Sequence, residues 1–217
     1  MKTQPTLAIF GGTFDPIHYG HLRAAQEAAD QFALDQVFFM PCARPPHSKE
    51  VKATTDQRLA MVQLAIAGNP RFSLSDIEAR QPNSSYSVNT LKELKKIHPQ
   101  HNLLFLLGTD AFFQIHTWYC PEELFRLADF VVMDRPGTPR YDILTYLQDY
   151  INPNFVPLGE RGAELPEGNL VQYLTTTLLD ISSSEIKRKV IQRKSLTYLV
   201  PPAVEDYIIA NQLYKQR

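Results

Sequence analysis

The stretch Leu7 to Leu22, LAIFGGTFDPIHYGHL, constrains this chain more than any other. It opens as a short apolar strand, Leu7-Ala8-Ile9-Phe10, which Gly11-Gly12 cuts. After Thr13-Phe14-Asp15-Pro16 a helical pattern begins around His18-x-Gly20-His21. Paired glycines at a strand end let the backbone turn sharply and approach a ligand. A helix start presents unpaired N–H groups and the positive end of a dipole, which suits phosphate. His18 and His21 are open to three readings: ordinary surface residues, metal ligands sharing a helix face, or donors to a phosphoryl group. No nearby run of His, Cys or carboxylates completes a metal shell, and the GGTFDP context favours the third. The stretch is neither a P-loop nor G-x-G-x-x-G.

Strand-like runs alternate with helical patterns through the rest of the chain. Residues 22–32 are rich in helix formers, 36–40 form a buried strand ended by Pro41, and 41–53 read as a loop. Thr54-x-x-Gln57 is a capping box for a helix through Ile66. Further strands are predicted at 72–75, 103–107 and 130–133, with helices at 88–97 and 122–127. The pattern weakens at 139–168, with a helix near 141–150 and then an irregular segment. A strand at 170–174 precedes a basic helix opened by Ser182 and a closing helix from Pro202 to about Tyr214. The alternation predicts an α/β fold: a Rossmann-like open, mostly parallel, doubly wound sheet. One domain over 1–217 is expected, with a C-terminal helical part at about 181–217. Ligands of such sheets sit beyond the C-terminal strand ends at a switch point, so Gly11-Gly12, 41–49 and 108–110 should gather there.

Charge sharpens this. The 217 residues carry a net charge of −1, which argues against a dedicated nucleic-acid partner. From Glu185 onward, however, seven Lys and Arg face three Asp and Glu, an excess of four. That places positive charge where a phosphate site needs it. Two cysteines without zinc spacing fit a reducing compartment. No apolar run nears the ~18 residues of a membrane span, so no membrane partner is expected and the cytoplasm is the default.

GGTFDPIHYGH, taken with Ile181-Ser182-Ser183-Ser184-Glu185-Ile186-Lys187-Arg188, resembles the two signatures of the HxGH adenylyl- and cytidylyltransferases. Pro45-Pro46-His47, Ser85-Tyr86-Ser87, Gly108-x-Asp110 and Thr117-Trp118-Tyr119 are similar to the nicotinate-nucleotide adenylyltransferases within them. The resemblance implies an enzyme of NAD biosynthesis. It would join ATP, brought with Mg²⁺, to nicotinate mononucleotide, giving deamido-NAD and pyrophosphate. It makes His18 and His21 catalytic donors to the ATP phosphates. Gly11, Gly12, Thr13, Phe14, Asp110, Ile181, Ser183, Ser184 and Lys187 become ATP-binding residues. His47, Lys49, Ser87, Trp118 and Tyr119 become substrate-binding residues, with Trp118, beside Tyr119, at the position that stacks on the pyridine ring. The family carries Arg where this chain has Lys187, and Lys lacks the planar two-point fork.

Plain structural accounts stand beside these. Asp15 is a turn residue before Pro16 or a site residue, and Ser182 with Glu185 is a capping box or an anion site. Asp110 could cap a helix, Trp118 could be partly buried core, and His47 and Lys49 could be solvated loop residues. No activated Ser or Cys is offered, so direct in-line attack is the expected mechanism. Alternatives are nicotinamide mononucleotide or another acceptor of the same superfamily, or a non-catalytic nucleotide sensor. A homo-oligomer is compatible with all of these.

Overall fold

The computed structural model describes residues 4–42, 51–80, 86–134 and 142–215. Among them, the apolar runs become the strands β1 (Thr6–Gly12), β2 (Val37–Pro41), β3 (Phe72–Leu74), β4 (Asn102–Gly108) and β5 (Asp129–Met133). Three more follow: β6 (Val156–Leu158), β7 (Gly162–Glu164) and β8 (Leu170–Leu174). They form one sheet in the order β3-β2-β1-β4-β5-β8-β7-β6. The first six are parallel, and β7 and β6 close the edge antiparallel. The strand order reverses between β1 and β4, which pair from Thr6↔Asn102 to Phe10↔Leu106. The glycine corner therefore lies at the switch point.

Between the strands run α1 (Tyr19–Gln31), α2 (Thr55–Ile66), α3 (Ser87–Ile97), α4 (Thr109–Phe112), α5 (Pro121–Leu127) and α6 (Ile143–Tyr150). The chain closes with α7 (Ser183–Ile191) and α8 (Pro202–Ala210). Alternate residues of β1 face opposite ways, as a pleated strand requires. Ala8 and Phe10 join a core with Ala25, Ala28, Met61 and Val204, from α1, α2 and α8. Leu7 and Ile9 join a second with Leu91, Phe125 and Leu147, from α3, α5 and α6. Both faces are covered, which is why the strands read as continuous apolar runs.

Local signals act as the sequence suggested. Thr54 accepts from the Gln57 amide at 3.2 Å, and Gln57 returns the bond to the Thr54 amide at 2.9 Å. Ser182 accepts from the Glu185 amide at 3.2 Å, while the Glu185 carboxylate turns to Arg188 and Lys189. Two expectations need correction. The irregular segment after α6 contains the β6–β7 hairpin, and the last helix stops at Ala210 rather than near Tyr214. Beyond it Gln212 and Tyr214 adopt left-handed backbone, at φ 53° and 63°.

Candidate active site

The corner is built tightly around its aromatic rings. Phe14, at φ 49°, sends its ring into the core, edge-on to Phe10 at 5.6 Å and to His21 at 5.1 Å. A Cβ on Gly12 would lie 2.9 Å from that ring, so only glycine fits there. Gly11 packs on the ring of Phe105 across the sheet. Behind the turn, Arg58 is buried at 1% exposure and donates to the Thr13 carbonyl at 2.9 Å and the Thr55 hydroxyl at 3.2 Å. Those bonds satisfy much of a charge whose burial would otherwise be costly. Thr13 is half-buried and Phe14 is buried.

His18 is the N-cap of α1 and His21 lies on its first turn. Their rings stack at 3.7 Å, and the His18 amide donates to Nδ1 of His21 at 3.3 Å. An accepting Nδ1 fixes the neutral tautomer with its proton on Nε2, the form that donates to a phosphoryl oxygen. A Cβ on Gly20 would sit 3.0 Å from Nδ1 of His18, so the glycine of the motif makes room for the stack.

Both histidines line a small cavity of about 40 Å³ with Phe10, Gly108, Asp134, Thr176 and Ile181, where β1, β4, β5 and β8 end. The sequence reading missed Asp134, Thr176 and Thr177 on this wall. The Thr177 amide and hydroxyl both donate to Glu27 of α1, at 2.7 and 2.6 Å, pinning the segment that leads to α7. At the start of α7, the Ser183 hydroxyl donates to the Pro16 carbonyl at 2.9 Å, so the two signatures are bonded together. Ser184 is exposed beside it. Lys187 has an unforeseen partner, Asp15, at 3.0 Å. Asp110 is exposed on the first turn of α4, just after β4.

On the other sheet face, Trp118 is half-buried, edge-on to Phe105 at 6.5 Å. Tyr119 is 56% exposed and tilts against Tyr86 at 4.8 Å, next to Ser87 at the start of α3. Phe105 thus bridges Gly11 and Trp118. His47 and Lys49 lie outside the described residues. Among those described, no group of three or more His, Cys, Asp or Glu is placed to hold a metal ion. No helix among them is long and apolar enough to cross a membrane.

A family model described as cytidylyltransferase-like matches residues 9–189. The probable nicotinate-nucleotide adenylyltransferase of Desulfatibacillum aliphaticivorans is 42% identical over 215 residues, spanning 96% of this chain and 99% of the relative. That of Geobacter sulfurreducens is 42% identical over 217 residues, spanning 99% and 98%. The chain belongs to the nicotinate-nucleotide adenylyltransferase family. The fold of this family member is also that of a Plasmodium falciparum nicotinic acid mononucleotide adenylyltransferase complexed with NaAD. The TM-score is 0.74, with 20% identity over 97% of each chain. A second structure of that enzyme, complexed with APC, aligns with a TM-score of 0.73 at 20% identity and the same coverage.

Proposed function

We propose that this chain transfers the adenylyl group of ATP to nicotinate mononucleotide, giving deamido-NAD and pyrophosphate. The observation that carries the reading is the His18–His21 stack at the β1–β4 switch point, with the His18 amide on Nδ1 of His21. A phosphate oxygen of the mononucleotide attacks the α-phosphorus of ATP in line. The bond from that phosphorus to the β-phosphate oxygen breaks as the new P–O bond forms, and pyrophosphate leaves. No side-chain nucleophile takes part, so the protein's work is positioning and charge stabilisation. Nε2 of His21 donates to an α-phosphoryl oxygen, and His18 supports it through the stack. Backbone groups of Gly11 to Phe14, the α7 start with Ile181, Ser183 and Ser184, and Lys187 follow the triphosphate. Asp110 serves the nucleotide end.

Ser87, Trp118 and Tyr119 form the acceptor side, where a flat electron-poor ring meets an aromatic face. His47 and Lys49 are assigned to substrate contact from the sequence alone. Mg²⁺ would come with the triphosphate and neutralise part of its charge. Among the described residues no group of three or more His, Cys, Asp or Glu is placed to hold such a cation. The two thiols, Cys42 and Cys120, are unpaired, which supports a reducing, cytoplasmic setting.

The test is pyrophosphate release from ATP with nicotinate mononucleotide, nicotinamide mononucleotide and phosphopantetheine in parallel. The nicotinate form should lead by at least about tenfold, the low end of what a single-group difference in a pocket is worth. Equal turnover of the acid and amide forms would defeat the acceptor assignment. ATP binding without pyrophosphate release would favour a sensor.

A further inference from the structure

Asp15 is 3% exposed, and each of its carboxylate oxygens carries two donors. Oδ2 accepts from the Lys52 amide at 3.0 Å and from Nζ of Lys187 at 3.0 Å. Oδ1 accepts from the Ala53 amide at 3.2 Å and from the Tyr214 hydroxyl at 2.8 Å. A turn residue bonds within about two residues of itself. These donors come from 37 to 199 positions away. Burial opposes the charge, yet the Lys52 amide, Lys187 and Tyr214 outweigh it and hold the carboxyl below its ordinary range.

What the donors belong to gives the cluster its meaning. Lys52 and Ala53 follow the stretch that carries His47 and Lys49. On the near side of that stretch, the Cys42 amide donates to the Gly12 carbonyl at 3.0 Å. Both roots are therefore tied to positions 12–15 of the same corner. Lys187 belongs to α7, whose Ser183 is already bonded to Pro16. Tyr214 lies in the bend after α8, its hydroxyl also 3.9 Å from the Met61 sulfur.

We propose that Asp15 is a positioning residue of the transfer site, holding the Lys187 ammonium and the 52–53 root on the phosphate corner, with Tyr214 holding Asp15 from behind. The proposal rests on the adenylyl-transfer reading for its purpose, but its geometry has a readout of its own. Asp15 acts on the triphosphate through Lys187 and not by contact. The sign of the effect separates this from simple electrostatics. Deleting an anion beside the phosphate path should tighten a triphosphate if only charge mattered. Losing a positioned cation should weaken it.

The experiment compares Asp15→Asn, Lys187→Met, their double variant and Tyr214→Phe with the unaltered protein. It measures calorimetric affinity for α,β-methylene-ATP, steady-state pyrophosphate release and the melting temperature. In Asp15→Asn, whichever way the amide turns, its NH₂ faces donors. Affinity for the analogue and kcat/KM for ATP should fall about 10²-fold, as expected for losing charge-assisted bonds. The mononucleotide KM should move less than about threefold. The double variant should lose less than the product of the two single losses, because Asp15 acts partly through Lys187. Tyr214→Phe removes one bond, keeps the ring packing, and should give the same pattern at about three- to tenfold. It serves as the test if Asp15→Asn does not fold.

Tighter or unchanged analogue binding in folded Asp15→Asn or Tyr214→Phe overturns the proposal. So does multiplicative loss in the double variant, or a lowered melting temperature with normal ATP constants. If the unaltered protein releases no pyrophosphate with any acceptor, the transfer reading fails. A drop in analogue affinity across the variants would then still uphold the positioning role.

Discussion

His21 accepts the His18 amide on Nδ1, so a single backbone bond leaves Nε2 as the ring nitrogen that carries the proton in the neutral form. The two aromatic residues of the proposed acceptor side differ in their surroundings. Trp118 is half-buried against Phe105, as a lone tryptophan usually is, and Tyr119 beside it is exposed. The resemblance put Trp118, beside Tyr119, at the stacking position. The structure separates a residue that supports the fold from one that faces outward. Tyr119→Ala should therefore raise the mononucleotide KM about three- to tenfold, the worth of one aromatic stack, with little change in melting temperature. Trp118→Ala should lower both catalytic efficiency and melting temperature, since it also empties a core position. Steady-state kinetics beside thermal melts separates the two. A Tyr119→Ala enzyme that melts lower at an unchanged KM would reverse the assignment.

Elements meet at Glu78, in the turn after β3, which is 6% exposed and accepts from the Thr90 hydroxyl of α3 at 3.0 Å. Burial pushes its carboxyl up to about 7 from an ordinary 4.5, against the pull of the Thr90 bond. Because the folded value is raised, its contribution to stability is fully present below about 4.5 and is lost as pH rises through about 7. Asp15 has the opposite sign. Its value is lowered from 3.8, so its contribution is present above that and is lost in acid. Glu78→Gln keeps the acceptor for Thr90 and removes the charge. It should stabilise the protein at pH 8 by up to about 3 kcal/mol, with the gain fading toward about pH 4.5. Urea unfolding at the two pH values measures this. An equal difference at both would mean that Glu78 is not titrating in the fold.

At the scale of the whole molecule, what was legible in the chain is what local chemistry dictates. Apolar runs, the Thr54 box and the glycine corner marked out the parallel strands, α1 and α2, and the switch point followed from their alternation. The β6–β7 hairpin was not legible because its strands are three residues long and Pro157 interrupts β6. Proline is tolerated there because β6 is the sheet edge, where a missing donor matters little. Asp134 and Thr176 were missed for another reason: neither stands in a motif, and only the convergence of β5 and β8 brings them to His18 and His21. Asp15 was visible as a residue but not as a junction, since its donors are scattered over the whole chain. The histidine corner is the proposed place of adenylyl transfer. Turnover of a folded His21→Ala variant with ATP and nicotinate mononucleotide tests that most directly. Turnover should fall by at least about 10²–10³ in kcat with the melting temperature retained, and near-normal turnover would contradict a catalytic role for His21.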